Sequence, residues 1–436
     1  MNIGIIGAGV TGLTAAYRLA RAGEKVTVFD SSPETGGMVR TFQMGGTRLE
    51  SFYHHCFNSD TDLVSLVEEM NLGARLRWKA PVNALWVPQG LYRFTTPGDL
   101  LRFRPLSLAG RVRFGLQVLG AKRVKDWKTL EGITARDWVC AGAGRDVWET
   151  LWGPLMRSKF GDSAEDVAAV WLWNKLVLRG GSRSKDLKNE ELGYLEGSFG
   201  VLWDEVARRI RTLGGRICQG ERVDRIVPRE EGVELSVSGS LQSFDQVLFA
   251  AAPALLPPLA PDLPGDYAAS LGELPYQANL CLCLKLEGPP LSPFYWISVA
   301  REDCPFVAAI EHTRLVDPAA YGGTVLYLSR YLDATDPLFS ADDETVVARF
   351  LESLTDLYPL FYPDLVTESH LSRERYAQPV VGLGYSGRVP DLRTPLKGLY
   401  LASMSQIYPE DRGQSYAVRL GREAAEEMRR DVRRGL

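Results

Sequence analysis

Apolar and polar positions change period twice within the first 30 residues. NIGII at 2–6 is a short apolar run of the length of a buried strand. Through VTGLTAAYRLARAG, apolar residues recur every three or four positions, which predicts a helix ending at Gly23. KVTVFD at 25–30 returns to a strand pattern. Between the first strand and the helix lies GAGVTG, where Gly7, Gly9 and Gly12 fit G-x-G-x-x-G. In that setting each glycine has its own task. Gly7 permits a tight turn, Gly9 lets the backbone approach a pyrophosphate, and Gly12 allows close helix–strand packing. The helix start at Val10 and Thr11 offers free N–H groups and the positive end of a dipole to phosphates. Asp30, next to Ser31 and 21 residues after Gly9, is placed to accept hydrogen bonds from an adenosine ribose, and it argues against a 2′-phosphate there.

Farther along, 196–215 carries a helix pattern between turn glycines, and the stretch from Arg216 to Gly239 alternates like a meander of strands. FDQVLFAAAPALL reads as a buried strand running into a loop. Near the far end, Leu399–Ala402 reads as a strand, followed by a loop and a helix that Gly413 opens. Two blocks of different character interrupt these pieces. Residues 76–190 hold a hairpin-like stretch, NALWVPQGLYRFTT, and then helical patterns; residues 276–375 hold several strands and one helix. The predicted fold is α/β, α+β overall: a discontinuous Rossmann-like nucleotide-binding domain from 1–75, 191–275 and 376–436, with an inserted mixed-sheet and helical substrate region from 76–190 and 276–375. GLGYSG at 382–387 also fits the glycine spacing, but RVPDLRTP after it cannot open a helix, so it reads as a loop and one dinucleotide per chain is expected.

Composition narrows the class. With 436 residues, 45% hydrophobic and 24% charged, the chain can bury a large core, and its net charge of −4 gives no reason to expect a nucleic-acid partner. The six cysteines show no C-x-x-C, so neither a zinc ribbon nor a dithiol redox motif is expected, and no metal site. The N-terminus enters the glycine motif without a basic start or a cleavage site, and no apolar run approaches the ~20 residues of a membrane span. A cytoplasmic protein, at most peripheral at the inner face of a membrane, is the expectation. Aromatic side chains are dense in the inserted blocks, where they read mainly as core.

After Asp30 comes SSPETGGMVRTF, which places Gly36, Gly37, Met38 and Arg40 just beyond the ribose-binding strand. A doubled glycine with a nearby arginine here resembles the FAD-containing amine oxidase superfamily, which includes monoamine oxidases, protoporphyrinogen oxidase, phytoene desaturases and, more remotely, UDP-galactopyranose mutase. The resemblance implies FAD, with the backbone at Val223 against adenine and Ala251 in a loop beside the cofactor. It also implies that the N-terminus of the closing helix, at Gly413, Gln414, Ser415 and Tyr416, points at the flavin ring. Ser403 and Met404 stand where many members carry a glycine and an acid, so the ribityl contact is either lost or supplied by another residue such as Asp411. Some members hold flavin through a C-terminal cysteine; this chain has none after 304, so non-covalent FAD is expected. The implied activity is removal of a hydride from a bulky, lipophilic or anionic small molecule. The alternatives are a non-redox mutase acting on a sugar nucleotide and a flavin-free NAD-binding protein.

Four segments remain as candidates for chemistry. ESFYHHCF at 50–57 holds two of the four histidines. Neighbours in an extended segment point to opposite sides, so one of His54 and His55 is expected to face flavin or substrate and the other to pack behind, with Tyr53 helping to wall the ring. Arg157, Lys159, Arg179, Arg183 and Lys185 form a cationic set that would bind an anionic substrate if it converged. Glu311 and His312 end a strand of the inserted sheet and are expected either to face a pocket or to form an edge-strand polar pair. Residues 102–128 set eight Lys and Arg against one acid, Asp126, and LAGRVRFGLQVLGAK within them suggests an amphipathic helix that either rests on a membrane surface or is a solvated face.

Overall fold

The apolar runs at 2–6, 25–30, 246–249 and 399–401 meet in one parallel sheet in the computed structural model, which describes residues 1–181 and 191–434. Its strands lie in the order Arg216–Gln219, Lys25–Asp30, Asn2–Ile6, Gln246–Phe249 and Leu399–Leu401. A parallel sheet is buried on both faces, which is why these strands are apolar throughout rather than alternating. Ile3, Ile5, Val28 and Leu248 face the helices Val10–Arg21, Gly200–Thr212 and Gln414–Arg434. Phe29, Val247, Phe249 and Leu401 face the antiparallel meander of Val223–Arg229, Gly232–Val237 and Ser240–Phe244. One expectation is corrected here. Arg216–Gln219 does not join the meander; it pairs in parallel with Thr27–Asp30 and covers an edge that would otherwise leave backbone N–H and C=O groups open.

The inserted blocks share a seven-stranded sheet, in the order Val366–Pro379, Tyr276–Leu286, Thr324–Leu332, Ala308–Glu311, Trp296–Val299, Asn83–Val87 and Gly90–Arg93. The hairpin of the first block thus supplies one edge of the sheet made by the second. Strand Val366–Pro379 runs through the expected 375/376 boundary, and Leu76–Lys79 pairs with Leu192–Leu195 across two others. Helices between Pro97 and Gly181 close over a separate core that includes Phe103, Phe114, Trp148 and Phe160. GLGYSG is a loop, with Gly384 at φ 64° before a single tight turn. Helix Leu108–Ala121 is amphipathic. Its outward side is apolar, with Leu108, Val112, Leu116 and Leu119 each 48–67% exposed. Arg111 instead donates to the Leu101 and Leu106 carbonyls, and Arg113 pairs with Asp146. Among the described residues no helix is long and apolar enough to cross a membrane.

Glu50 joins the two sheet systems. It ends the hairpin of Thr41–Met44 and Thr47–Glu50, and its buried carboxylate accepts from the Tyr194 hydroxyl at 2.8 Å and the Phe199 N–H at 2.6 Å. Tyr327 of the large sheet donates to its carbonyl at 2.9 Å. Burial raises the carboxyl to about 7, against the lowering effect of these donors. A carboxyl that holds its proton more tightly when folded contributes its full stability below about pH 4.5, and that contribution fades as pH rises through about 7. The difference amounts to about 3 kcal/mol at alkaline pH. Glu50→Gln keeps the shape and cannot ionise. It is expected to raise the melting temperature at pH 8 and to leave it nearly unchanged at pH 5; an equal effect at both values would remove the assigned cause.

Candidate functional site

The carboxyl ends of the parallel strands gather the glycine loop, Asp30, Ala251 and Ser403 along one edge. Gly7 takes φ 107°, open to glycine, and a Cβ at Gly12 would lie 1.9 Å from the Gly7 carbonyl oxygen. The Gly36 N–H donates to the Ala8 carbonyl at 2.8 Å, and a Cβ on Gly37 would sit 3.1 Å from the Gly9 Cα. Two backbone turns therefore press together with no side chain between them. Helix Val10–Arg21 begins at Gly9 without a side-chain cap, which leaves its first-turn N–H groups for a ligand. The half-buried Asp30 carboxylate accepts from the Ala8 N–H at 2.6 Å and the Ser32 N–H at 2.8 Å, and each oxygen keeps a further lone pair. Ser31 beside it is exposed.

Other expected cofactor residues arrive through backbone pairing. Gly220 donates to the Ser32 carbonyl at 2.9 Å and brings the chain round to Val223. Ala250 donates to Ile6, and Ala402 to Phe249, which sets Ala251, Ser403 and Met404 on the same edge. The Ser403 N–H is held by Gln406 at 2.6 Å. Gln414 opens the closing helix just past Gly413; its Oε1 accepts from Trp203 at 3.2 Å, while its buried Nε2 has no partner among the described residues. Ser415 accepts from the Leu63 N–H at 3.3 Å. Arg40 braces the doubled glycine: it donates to the Gly37 and Arg373 carbonyls, each at 3.2 Å, and pairs with Glu374 at 3.4 Å. Met38 packs beside it at the edge of the core. A backbone-lined cradle, an uncapped helix start and an orphaned amide suit a dinucleotide.

Beyond this edge lies a polar cluster walled by aromatics. Tyr53 meets Trp296 edge to face at 4.9 Å, and Tyr327 at 6.4 Å. The two histidines diverge. His54 Nδ1 lies 2.6 Å from the Phe52 carbonyl, so it carries the proton and leaves Nε2 as an acceptor. His55 Nδ1 lies 3.0 Å from the Tyr295 hydroxyl, and its ring packs on Phe57 and Trp296. Burial, reinforced by the nearby Arg412 guanidinium, lowers His54 to about 4 and keeps it neutral. Arg412 donates to Gln378 at 2.9 Å and to the Tyr331 hydroxyl. Asp411 accepts from Trp171 at 3.2 Å and Gln378 at 3.1 Å and pairs with Lys175. Burial pushes its carboxyl up, but Lys175, Lys159 and Arg412 together outweigh burial and hold it below the usual carboxylate range. Asp411 is thus committed to its own cations.

Of the expected cationic set, Lys159 turns into this cluster and Arg157 turns away. Arg157 pairs with Glu302 at 2.7 Å on the surface. The reason is geometric: residues two apart on helix Gly153–Phe160 cannot share a face. Arg183 and Lys185 lie outside the described residues, and the side chain of Arg179 is among those left undescribed. Glu311 and His312 do not act as a pair. Glu311 binds Arg314 at 2.9 Å, and burial raises it to about 7. His312 bonds Tyr321 at 2.9 Å within a ring of tyrosines, and burial lowers it to about 3. Lys175, Arg412, Tyr331 and Gln378 join the cluster without any local sequence pattern that marks them together as site residues. The Trp171–Lys175 spacing of one helical turn was the available signal, but nothing local linked it to 412.

A family model described as flavin containing amine oxidoreductase matches residues 10–429. Mitochondrial protoporphyrinogen oxidase of Nicotiana tabacum is 24% identical over 266 residues, covering 54% of this chain and 51% of that protein. Coproporphyrinogen III oxidase of Mycobacterium tuberculosis is 23% identical over 415 residues, covering 90% of each. The chain spans about half the length of the curated relatives it first matches. In fold it matches reduced UDP-galactopyranose mutase with a TM-score of 0.78 at 15% identity, over 98% of this chain and 95% of that one.

The glycines separate folding from cofactor binding. A Cβ on Gly9 would meet only the Gly37 Cα at 3.9 Å, an ordinary contact at an unstrained φ of −76°. Gly9→Ala is expected to melt like the parent chain yet to bind flavin at least about tenfold more weakly, since the methyl enters only the space a pyrophosphate would use. Gly12→Ala is expected to lose stability outright. Melting curves and flavin content of the two variants check this, and full flavin in Gly9→Ala would remove the pyrophosphate assignment.

Proposed function

The chain belongs to the flavin-containing amine oxidoreductase family, and on that premise we propose that it is an oxidoreductase that binds FAD non-covalently and takes a hydride from a bulky organic small molecule. One observation carries the reading: the bare Gly7–Gly12 and Gly36–Gly37 turns, Asp30 and the start of the closing helix all open on the same sheet edge. The pyrophosphate would rest on the first helix N-terminus, the ribose on Asp30, the adenine beside Val223, and the ring near Gly413, Gln414 and Ser415. When bound, flavin supplies the hydride-accepting centre. The chain's own residues orient the substrate and exclude water. Tyr53, Trp296 and Tyr327 wall the site; His54, neutral at physiological pH, offers Nε2 to a proton released there. The closing helix sets its positive end where charge would build.

The purified protein is expected to be yellow and to release intact FAD on heat or acid denaturation. A colourless protein that FAD cannot reconstitute would overturn the proposal. Turnover should consume an electron acceptor in proportion to product; turnover of a sugar nucleotide with no acceptor consumed would favour mutase chemistry instead. Replacing His54 with Asn is expected to lower kcat more than it alters the flavin spectrum.

The same proposal extends to a surface. The exposed Leu108, Val112, Leu116 and Leu119 stripe is bordered by exposed Arg102, Arg104, Lys122, Arg123 and Lys125, a pairing suited to an anionic lipid surface. The chain is expected to sediment with phosphatidylglycerol vesicles and not with phosphatidylcholine vesicles, and the Leu116→Asp, Leu119→Asp double variant to remain in solution. Equal behaviour on both vesicles would discard the docking face.

A further inference from the structure

The polar cluster contains more positive charge than its own residues neutralise. Lys159, Lys175 and Arg412 surround a single carboxylate, Asp411, whose oxygens are already taken by Lys175, Trp171 and Gln378. Lys159 makes no hydrogen bond or ion pair among the described residues. Its ammonium instead lies 4.7 Å from the centre of the Tyr331 ring, 5.0 Å from Trp171 and 5.6 Å from Phe160. Arg412 sits against the same Tyr331 ring at 5.8 Å. Its Nε and Nη2 are used by Gln378 and Tyr331, while Nη1 has no partner among the described residues. Rings attract a cation but accept none of its three N–H bonds as a carboxylate would. An ammonium set among three rings, with no carboxylate among the described residues in ion-pair range, is a costly arrangement unless something else completes it.

We infer that Lys159, supported by Arg412, is the subsite for a carboxylate on the substrate, and that the aromatic rings around it hold the apolar body to which that carboxylate is attached. The inference deepens the oxidoreductase reading above and rests on it for the meaning of "substrate". A monocarboxylate fits the vacancies better than a phosphate, because the free donors are one ammonium and one guanidinium nitrogen. Charge supports the assignment as well. Burial, with Lys175 and Arg412 adding to it and only Asp411 opposing it, holds Lys159 well below the usual lysine range. An arriving carboxylate would supply the anion that Asp411, already paired with Lys175, does not. The titratable and charged groups facing Lys159 are Asp411, Lys175, Arg412 and Tyr331.

The test uses the flavin-loaded protein, with benzoate as the probe and benzamide as its uncharged control, followed by titration calorimetry. Benzoate is expected to bind at least about tenfold more tightly than benzamide, a difference of one lost charge-assisted contact. Lys159→Met is expected to abolish the discrimination and Lys159→Arg to retain it in part. Without ligand, Lys159→Met is expected to melt higher than the parent chain, because it removes an unneutralised charge; a lysine needed only for packing would give a lower value. Equal binding of benzoate and benzamide, or unchanged benzoate binding by Lys159→Met, would overturn the inference. Flavin content is read from the absorption spectrum beforehand. A protein without flavin that still discriminates benzoate through Lys159 would overturn the flavin reading and leave the carboxylate subsite standing.

Discussion

The closing helix can lie on the first helix only because residue 421 has no side chain. A Cβ on Gly421 would approach the Thr11 carbonyl oxygen to 2.5 Å and the Thr14 side chain to 2.8 Å. That contact sets how far the last piece of the chain can settle onto the first. With it in place, strand Leu399–Leu401 completes the parallel sheet and Gln414 comes to the edge where Gly9 and Val10 already lie. Asp431 secures the far end of the same helix, accepting from the Tyr400 hydroxyl at 2.8 Å and the Arg393 Nε at 2.7 Å. Asp62 secures its middle through Arg419 and Arg422 at 2.9 and 2.8 Å.

Around that frame the protein sorts its charges by cost. Exposed pairs such as Arg157–Glu302 contribute little. Buried groups are of two kinds. Glu50 and His312 are satisfied by neutral partners and are held toward their uncharged forms, as burial dictates. The Asp411 cluster does the reverse and keeps the Asp411 carboxylate and the Arg412 guanidinium charged beside Tyr53 and His54. Such a concentration is unfavourable for folding alone and is the kind of feature found where chemistry is carried out.

What local pattern could convey was conveyed. The glycine turn, Asp30 and the helix after Gly413 each depend on a few neighbouring residues, and period and turn chemistry reveal those directly. The corrections share another cause. Arg216–Gln219 alternates equally well as a meander strand or a sheet edge, and only the open side of Lys25–Asp30 decides. Arg157 and Lys159 lie close in sequence, yet helical geometry separates them. Lys159, Lys175 and Arg412 come together from two helices and a loop, and no short-range pattern carries that meeting. The outward leucines of 108–119 follow a helical stripe, yet the pattern alone does not say which stripe faces the core.

The order of strands in the parallel sheet has a consequence for how the molecule forms. Its central strand, Asn2–Ile6, is made first, its neighbour Gln246–Phe249 far later, and the edge strand Leu399–Leu401 later still. As the chain leaves the ribosome, the glycine turn therefore exists long before the helix that faces it across the site. Pairings between such distant segments form slowly, since the entropy of closing each long loop is lost before the contacts return it. Until the final helix settles at Gly421, the flank of Gln246–Phe249 remains open to any other strand. The period between synthesis and closure is when this chain is most exposed to aggregation.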